Sequence, residues 1–361
     1  MSPDETLALA ASLLAHGQSL ENQNPPALAD AVRAYDEAIG RLRQLPLAQE
    51  RIRRDLAVAL MNRGNALQRQ NSPSALTDAL RTYDEAIAFF RTLPLEASAD
   101  YRNALAAAWM NRGHALHRQP DSGGLIEAIR SHGEAISLLR TLPLEANRSF
   151  PINLAAAWMN QANALLILGE PSRALASARE SIAVAAPAET TDPVLADIGL
   201  KARRAWCEAA GQLLVSPDPY LPSREPLADE ASDVVDEALA LARRWEARGV
   251  PVFRPIAARL FRFGAQLYAV HLPDFLAEFL LEHIDPARAE GAMPHTEEFY
   301  HVASAALSGA RRELENRRTV FLDTPETTQL LNRLQDLREA QVRLAELQAQ
   351  HLDVRSSAAG D

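Results

Sequence analysis

Asparagine, methionine, histidine and arginine recur in this chain at one fixed spacing, and they are the residues with which it would do chemistry. Asn62, Asn111 and Asn160 each follow a methionine, at Met61, Met110 and Met159, and each set stands 49 residues after the last. A primary amide carries both donors and an acceptor, so a row of them can hold the C=O and N–H groups of an extended peptide whatever its side chains. One helical turn later Asn65, His114 and Asn163 continue the same face, and the methionines beside them are adaptable apolar contacts. Gln68, Arg69, His117 and Arg118 close the string and suit a carboxylate or an acidic side chain. A structural reading competes with this one: duplicated units share residues by descent, and a helical amide is equally served by water or by a neighbouring unit. For Arg63 and Arg112 the structural reading is the stronger, with Asp84, Glu85 and Glu134 as partners.

Other chemistries find no support. The chain has no Gly-rich phosphate loop, no Gly-x-Ser-x-Gly elbow and no His-Glu-x-x-His, so no enzyme is expected. Cys207, the one cysteine, stands where the repeat has Met159 and reads as a small buried apolar residue; alone, it forms no internal disulfide. His283, His295, Glu298 and His301 come nearest to a metal cluster, but a Pro/Gly-containing loop divides them, and neither metal nor other cofactor is expected. Asp274, Glu278 and Glu282 read as a solvated stripe. The net charge of −10, with no basic run interleaved with aromatics, argues against nucleic acid. Residues 51 to 150 alone are positive, by about +3. No apolar run approaches the roughly 18 residues that span a bilayer, and the N-terminal segment carries acids where a signal peptide carries bases. A cytoplasmic chain without a membrane partner is the expectation, and the single Lys201 against 36 Arg reads as the codon bias of a high-GC bacterium.

The elements that must position these residues are helices. Gly (15 of 361) is scarce, Ala and Leu abound, and prolines fall between the Ala/Leu-rich segments. AVALMNRGNALQRQ at 57–70 returns as AAAWMNRGHALHRQ at 106–119 and AAAWMNQANALLIL at 155–168, and residues 82–116 and 131–165 are identical at about half of their positions. A partner string, AVRAYDEAI at 31–39, returns at 79–87, 128–136 and 174–182. In each first string apolar residues such as Leu105, Trp109 and Leu116 share one helical face, with small Gly113 allowing a close neighbour, and Asn111 points away from it. Neither helix buries its stripe alone, so the pairs must stack. Ser2 or Asp4 caps the first helix; Pro94 and Pro143 end second helices, and Glu96 and Glu145 suit the first turns that follow. The tryptophans are expected in the core.

Leu60, Gly64, Leu67, Ala79, Tyr83 and Ala86, then Trp109, Gly113, Leu116, Ala128, His132 and Ala135, then Trp158, Ala162, Leu165, Ala174, Ala178 and Ser181 resemble the tetratricopeptide repeat family over residues 4–186. The units are 48–49 residues rather than about 34, and His132, Ala178 and Ser181 depart from the pattern. The resemblance implies an all-α, right-handed α-solenoid of stacked antiparallel helix pairs, whose first helices line a concave groove with Asn62, Asn111 and Asn160 as clamps on a peptide backbone. A first unit uses Leu13, Gly17, Leu20, Ala31, Tyr35 and Ala38; a fifth uses Trp206, Ala210, Leu213, Ala231, Val235 and Ala238; a sixth uses Leu260, Gly264 and Leu267. The expected division is a repeat array over 1–249 and a degenerate sixth unit with a C-terminal helical cap over 250–361. Leu330, Leu334, Leu337, Leu344 and Leu347 make a seam in the last helix that either caps the array or pairs two chains through 325–352. The expected function is a non-catalytic scaffold or adaptor holding an extended segment of a protein partner. The alternatives are a regulatory subunit docking on an effector through the C-terminal helices, and a self-assembling structural protein.

Overall fold

The computed structural model describes residues 2–118, 121–216, 224–271, 275–284, 297–318 and 325–358. Among them are fourteen α-helices and no strand. In chain order these are α1 (Pro3–Glu21), α2 (Leu28–Leu42), α3 (Glu50–Gln70), α4 (Pro73–Phe90), α5 (Ala99–His117), α6 (Ser122–Leu139), α7 (Ser149–Leu168) and α8 (Pro171–Ala185), followed by α9 (Pro193–Val215), α10 (Arg224–Glu246), α11 (Arg254–His271), α12 (Leu276–Ile284), α13 (Glu297–Arg318) and α14 (Pro325–Ala358). Contacts divide the chain into two compact units, Met1–Val184 and Ala185–Asp361. The division expected at 249/250 counted repeats instead.

In the first unit the chain stacks helix pairs. α1 packs on α2, α3 on α4 and α5 on α6; each second helix also packs on the next first helix, and α1, α3, α5 and α7 touch in succession. Alanine makes this closeness possible: Ala57, Ala59, Ala106, Ala108, Ala155 and Ala157 are all fully buried. The glycines have a more specific task. A Cβ on Gly17, Gly64 or Gly113 would lie 2.5, 2.5 or 2.6 Å from the ring of Tyr35, Tyr83 or His132. The close neighbour is thus an aromatic side chain of the paired helix, not backbone. In the fourth pair both members have changed, to buried Ala162 and Ala178.

Ends of helices follow local chemistry. Ser2 and Glu5 form a capping box, Glu5 N–H donating to Ser2 Oγ at 3.2 Å and Ser2 N–H to Glu5 Oε2 at 2.7 Å. The helices before Pro94 and Pro143 end at Phe90 and Leu139, and in each Leu-Pro-Leu corner the first leucine, Leu45, Leu93 or Leu142, is buried as an anchor. Glu96 and Glu145 do not start the following helices; α5 begins after its cap Ser98, and α7 at Ser149. Glu96 lies instead in a 3-10 turn, Leu95–Ala97, that precedes α5, and Glu145 in the corner before α7.

The second unit has a different core. α9 packs on α10 and α11, α11 on α12 and α13, and α13 on α14. Phe261 stacks on Phe279 and Phe299 with ring centroids 5.6 and 4.6 Å away, and Gly264 receives the Phe279 ring. Arg203 and Glu189 form a buried two-point ion pair at 2.8 and 2.9 Å, and Trp245 Nε1 donates to the Glu189 carbonyl. Leu334, Leu337, Leu344 and Leu347 are buried inside the chain, so the seam that would pair two copies is already covered; Leu330 has no described side chain. Of the tryptophans, Trp206 and Trp245 are buried, whereas Trp109 and Trp158 are half-buried beneath arginines: Arg91 and Arg112 over Trp109, Arg140 over Trp158.

Candidate functional site

The repeated arginines are structural rivets. Arg63 Nε donates to Asp36 on the preceding pair at 2.6 Å and its Nη1 to Thr82 on its own pair at 2.7 Å. Arg112 repeats this on Asp84 and Ser131, at 2.7 and 2.8 Å. Of the acids expected beside them only Asp84 has that role; Glu85 bonds Arg43, and Glu134 is exposed. Where Gly133 replaces the aspartate, Gln161 replaces the arginine and keeps the contact with its direction reversed, accepting from Ser177 at 3.0 Å.

Arg69 and Arg118, read from the sequence as ligand contacts, are also engaged backwards. Arg69 binds the Glu21 carboxylate at 2.9 Å and its carbonyl at 3.3 Å; Arg118 donates to the Gln68 carbonyl at 3.3 Å and to Asn71. Each guanidinium therefore binds a carbonyl at the negative end of the preceding first helix.

The amides share one face but not one state. Asn111 Nδ2 donates to Asn65 Oδ1 at 2.9 Å, which ties α5 to α3. Asn62 keeps a shielded amide nitrogen with no partner. Asn160 is buried, and with Asn163 it walls a cavity of about 300 Å³ that also contains Gln68, His114, His117, Arg118 and His132. Met61 lies half-buried against the core of the first pairs, Met159 is half-buried, and Met110 belongs to the core itself, so it is not the groove contact the sequence suggested. It is buried in one cluster with Leu139 and Leu154.

His132 was legible only as a departure from the repeat, yet it is the floor of that cavity. It is fully buried with both ring nitrogens unpartnered, its centroid 5.8 Å from that of His114. Burial, and then the charges of His114 and His117, lower its pKa to about 3; burial and then His114 also lower that of His117. Among the described residues no carboxylate lines the cavity.

The remaining sequence candidates do not assemble into a site. Among the described residues no group of His, Cys, Asp and Glu can hold a metal ion. His283 is buried against Asp236 at 3.1 Å, while His295 and the side chain of Glu298 lie outside the described residues. Glu278 and Glu282 are exposed, and Asp274 is outside the described residues. Cys207 is buried, and burial pushes its thiol pKa up, which makes it a poor nucleophile. No helix among the described residues is long and apolar enough to cross a membrane.

No family model and no curated protein matches the chain. Solved structures similar to it include the S. pombe nuclear import adaptor Nro1, 14% identical with a TM-score of 0.43, covering 92% of this chain and 99% of that one. A second structure of Nro1, a hypoxic regulator of sterol synthesis, is 13% identical with a TM-score of 0.47, covering 91% and 97%. A circular tandem repeat protein is 16% identical with a TM-score of 0.35, covering 98% and 80%.

Proposed function

We propose that the chain is a non-catalytic scaffold or adaptor that holds an extended segment of a protein partner along the face of α3, α5 and α7, in units of tetratricopeptide type. The observation that carries this reading is the polar face on three successive first helices: the unpartnered amide nitrogen of Asn62 and, two pairs further on, Asn160 and Asn163 at an open cavity. A shielded amide nitrogen such as that of Asn62 is costly unless a partner satisfies it, and an extended peptide offers acceptors at regular intervals. The lone buried thiol suits a reducing compartment, and we place the protein in a bacterial cytoplasm. The test is a displayed library of random peptides selected on the full-length chain. Peptides should be enriched, and the combined Asn62→Ala, Asn160→Ala and Asn163→Ala variant should bind them at least tenfold more weakly while its circular dichroism is unchanged. Equal binding by that folded variant would remove the reading.

A second reading, docking of an effector through the C-terminal helices, draws on one observation. A depression of about 520 Å³ lies between α9 and α11, lined by Val215, Phe263, Leu267 and Val270, with Val215 and Val270 mostly exposed. Val215→Asp with Val270→Asp should abolish effector binding and leave peptide binding intact.

A further inference from the structure

Three positions of the repeated pair change together. In the second pair the Tyr83 hydroxyl is shared between Asn65 Oδ1 and Gln68 Oε1, each 2.8 Å away, which closes the space. The same positions in the third pair hold His132, His114 and His117. An imidazole is shorter than a phenol, and here it meets no acceptor: both nitrogens of His132 are buried and bare. The cavity described above lies against all three rings.

We propose that this cavity is a proton-linked site for one oxyanion, a carboxylate or a phosphate, carried by a residue of the bound segment. The groups that face His132 are His114, His117 and Arg118 on α5, Gln68 on α3, and Asn160 and Asn163 on α7. On α6 itself Glu127 is turned to Arg130 at 3.3 Å, and Glu134 is exposed. An entering oxyanion thus meets a guanidinium, three imidazoles and amide donors, with no carboxylate among the described lining residues to oppose it. It also has only acceptors to offer, so every imidazole it touches must donate, and the proton that makes a second N–H is held by the ligand's charge. A neutral peptide group cannot do this. Burial first, and then the charge of the neighbouring imidazoles, keep His132 and His117 neutral near pH 7. Occupation therefore takes up protons, and affinity rises as pH falls. That the oxyanion arrives on a partner's segment rests on the groove reading above; the site itself does not.

The test uses the full-length chain with two probes whose charge is constant between pH 6 and 8: N-acetylglutamate N-methylamide for a carboxylate and sulfate for a tetrahedral oxyanion. Imidazole resonances followed by NMR should shift saturably, and the dissociation constant should fall three- to tenfold for each unit from pH 8 to pH 6, the upper bound for one linked proton. A response to the blocked glutamate alone assigns the site to acidic side chains, and one to sulfate alone assigns it to phosphorylated residues. The variant His114→Asn, His117→Gln, His132→Tyr copies the arrangement of the second pair and should bind either probe at least tenfold more weakly with its helicity kept. Should it misfold, His117→Gln alone should flatten the pH dependence. The proposal is overturned if neither probe moves the imidazoles, if affinity is equal at pH 6 and 8, or if the folded triple variant binds like the parent. Failure of the groove reading would leave probe binding untouched, whereas failure here would leave neutral peptides bound.

Discussion

A glycine that receives an aromatic ring cannot be altered alone. At Gly64 a methyl group would sit 2.5 Å from Tyr83, itself fully buried with its hydroxyl held by two side chains, so the ring has nowhere to go. Gly64→Ala is expected to cost about 1–3 kcal/mol, as overpacking does elsewhere. In a Tyr83→Ala background the same change should cost almost nothing, because Ala162 and Ala178 already fill those places in the fourth pair; urea unfolding of the four-member cycle reads the coupling. His132 gives a pH signature. Its folded pKa, lowered to about 3, lies below the ordinary value of 6.5, so between these values the unfolded chain binds the extra proton. Stability should therefore fall as pH drops from 6.5 toward 3, by up to about 1.4 kcal/mol per unit. His132→Tyr should flatten that slope in thermal melts at pH 6.5 and 4.5.

Between elements, the stack is joined by side chains that reach from one pair to the one before it. Arg112 ties α5 to Asp84 on α4 and to Ser131 on α6, and the fourth pair keeps the last contact after exchanging the first two residues for Gln161 and Gly133. Loss of one partner should matter only while the other is present. Asp84→Gly should cost about 0.5–1 kcal/mol in the parent and close to zero with Arg112→Gln, since the pair is half exposed and solvent screens it. The joint substitution of Asp and Arg is visible when the repeats are aligned with one another, and by itself it marks a contact. The linked change of Tyr83, Asn65 and Gln68 into three histidines was equally visible, but it reads as decay of a motif until the rings are seen around one cavity. Arg69 shows how a ligand reading goes astray for a physical reason: a cation at the end of a helix serves a ligand and a neighbouring helix terminus equally well, and here it is tied to Glu21.

Taken as a whole, the chain is two bodies with different logic. Residues 1–184 hold their contacts within each helix pair and between neighbouring pairs, an arrangement that needs no distant segment to form. Expressed alone they should keep a helical spectrum and a cooperative thermal transition. The second unit instead closes on its last helix: α14 covers α13 with Leu334, Leu337, Leu344 and Leu347. Removing residues 325–361 should expose apolar surface, raising binding of a hydrophobic dye and lowering the melting temperature. The sequence by itself determined the helical class, the 49-residue step, the face on which the amides fall and the buried role of Cys207, because each is a matter of residue type and of spacing along one helix. Only the tertiary structure decided which polar groups are engaged and which stand open. Asn111 meets Asn65, and Arg118 meets Gln68, across 46 and 50 residues of chain, while His132 meets no acceptor at all. Pairing at that range depends on how closely the first helices of successive pairs approach, not on the local pattern of either helix.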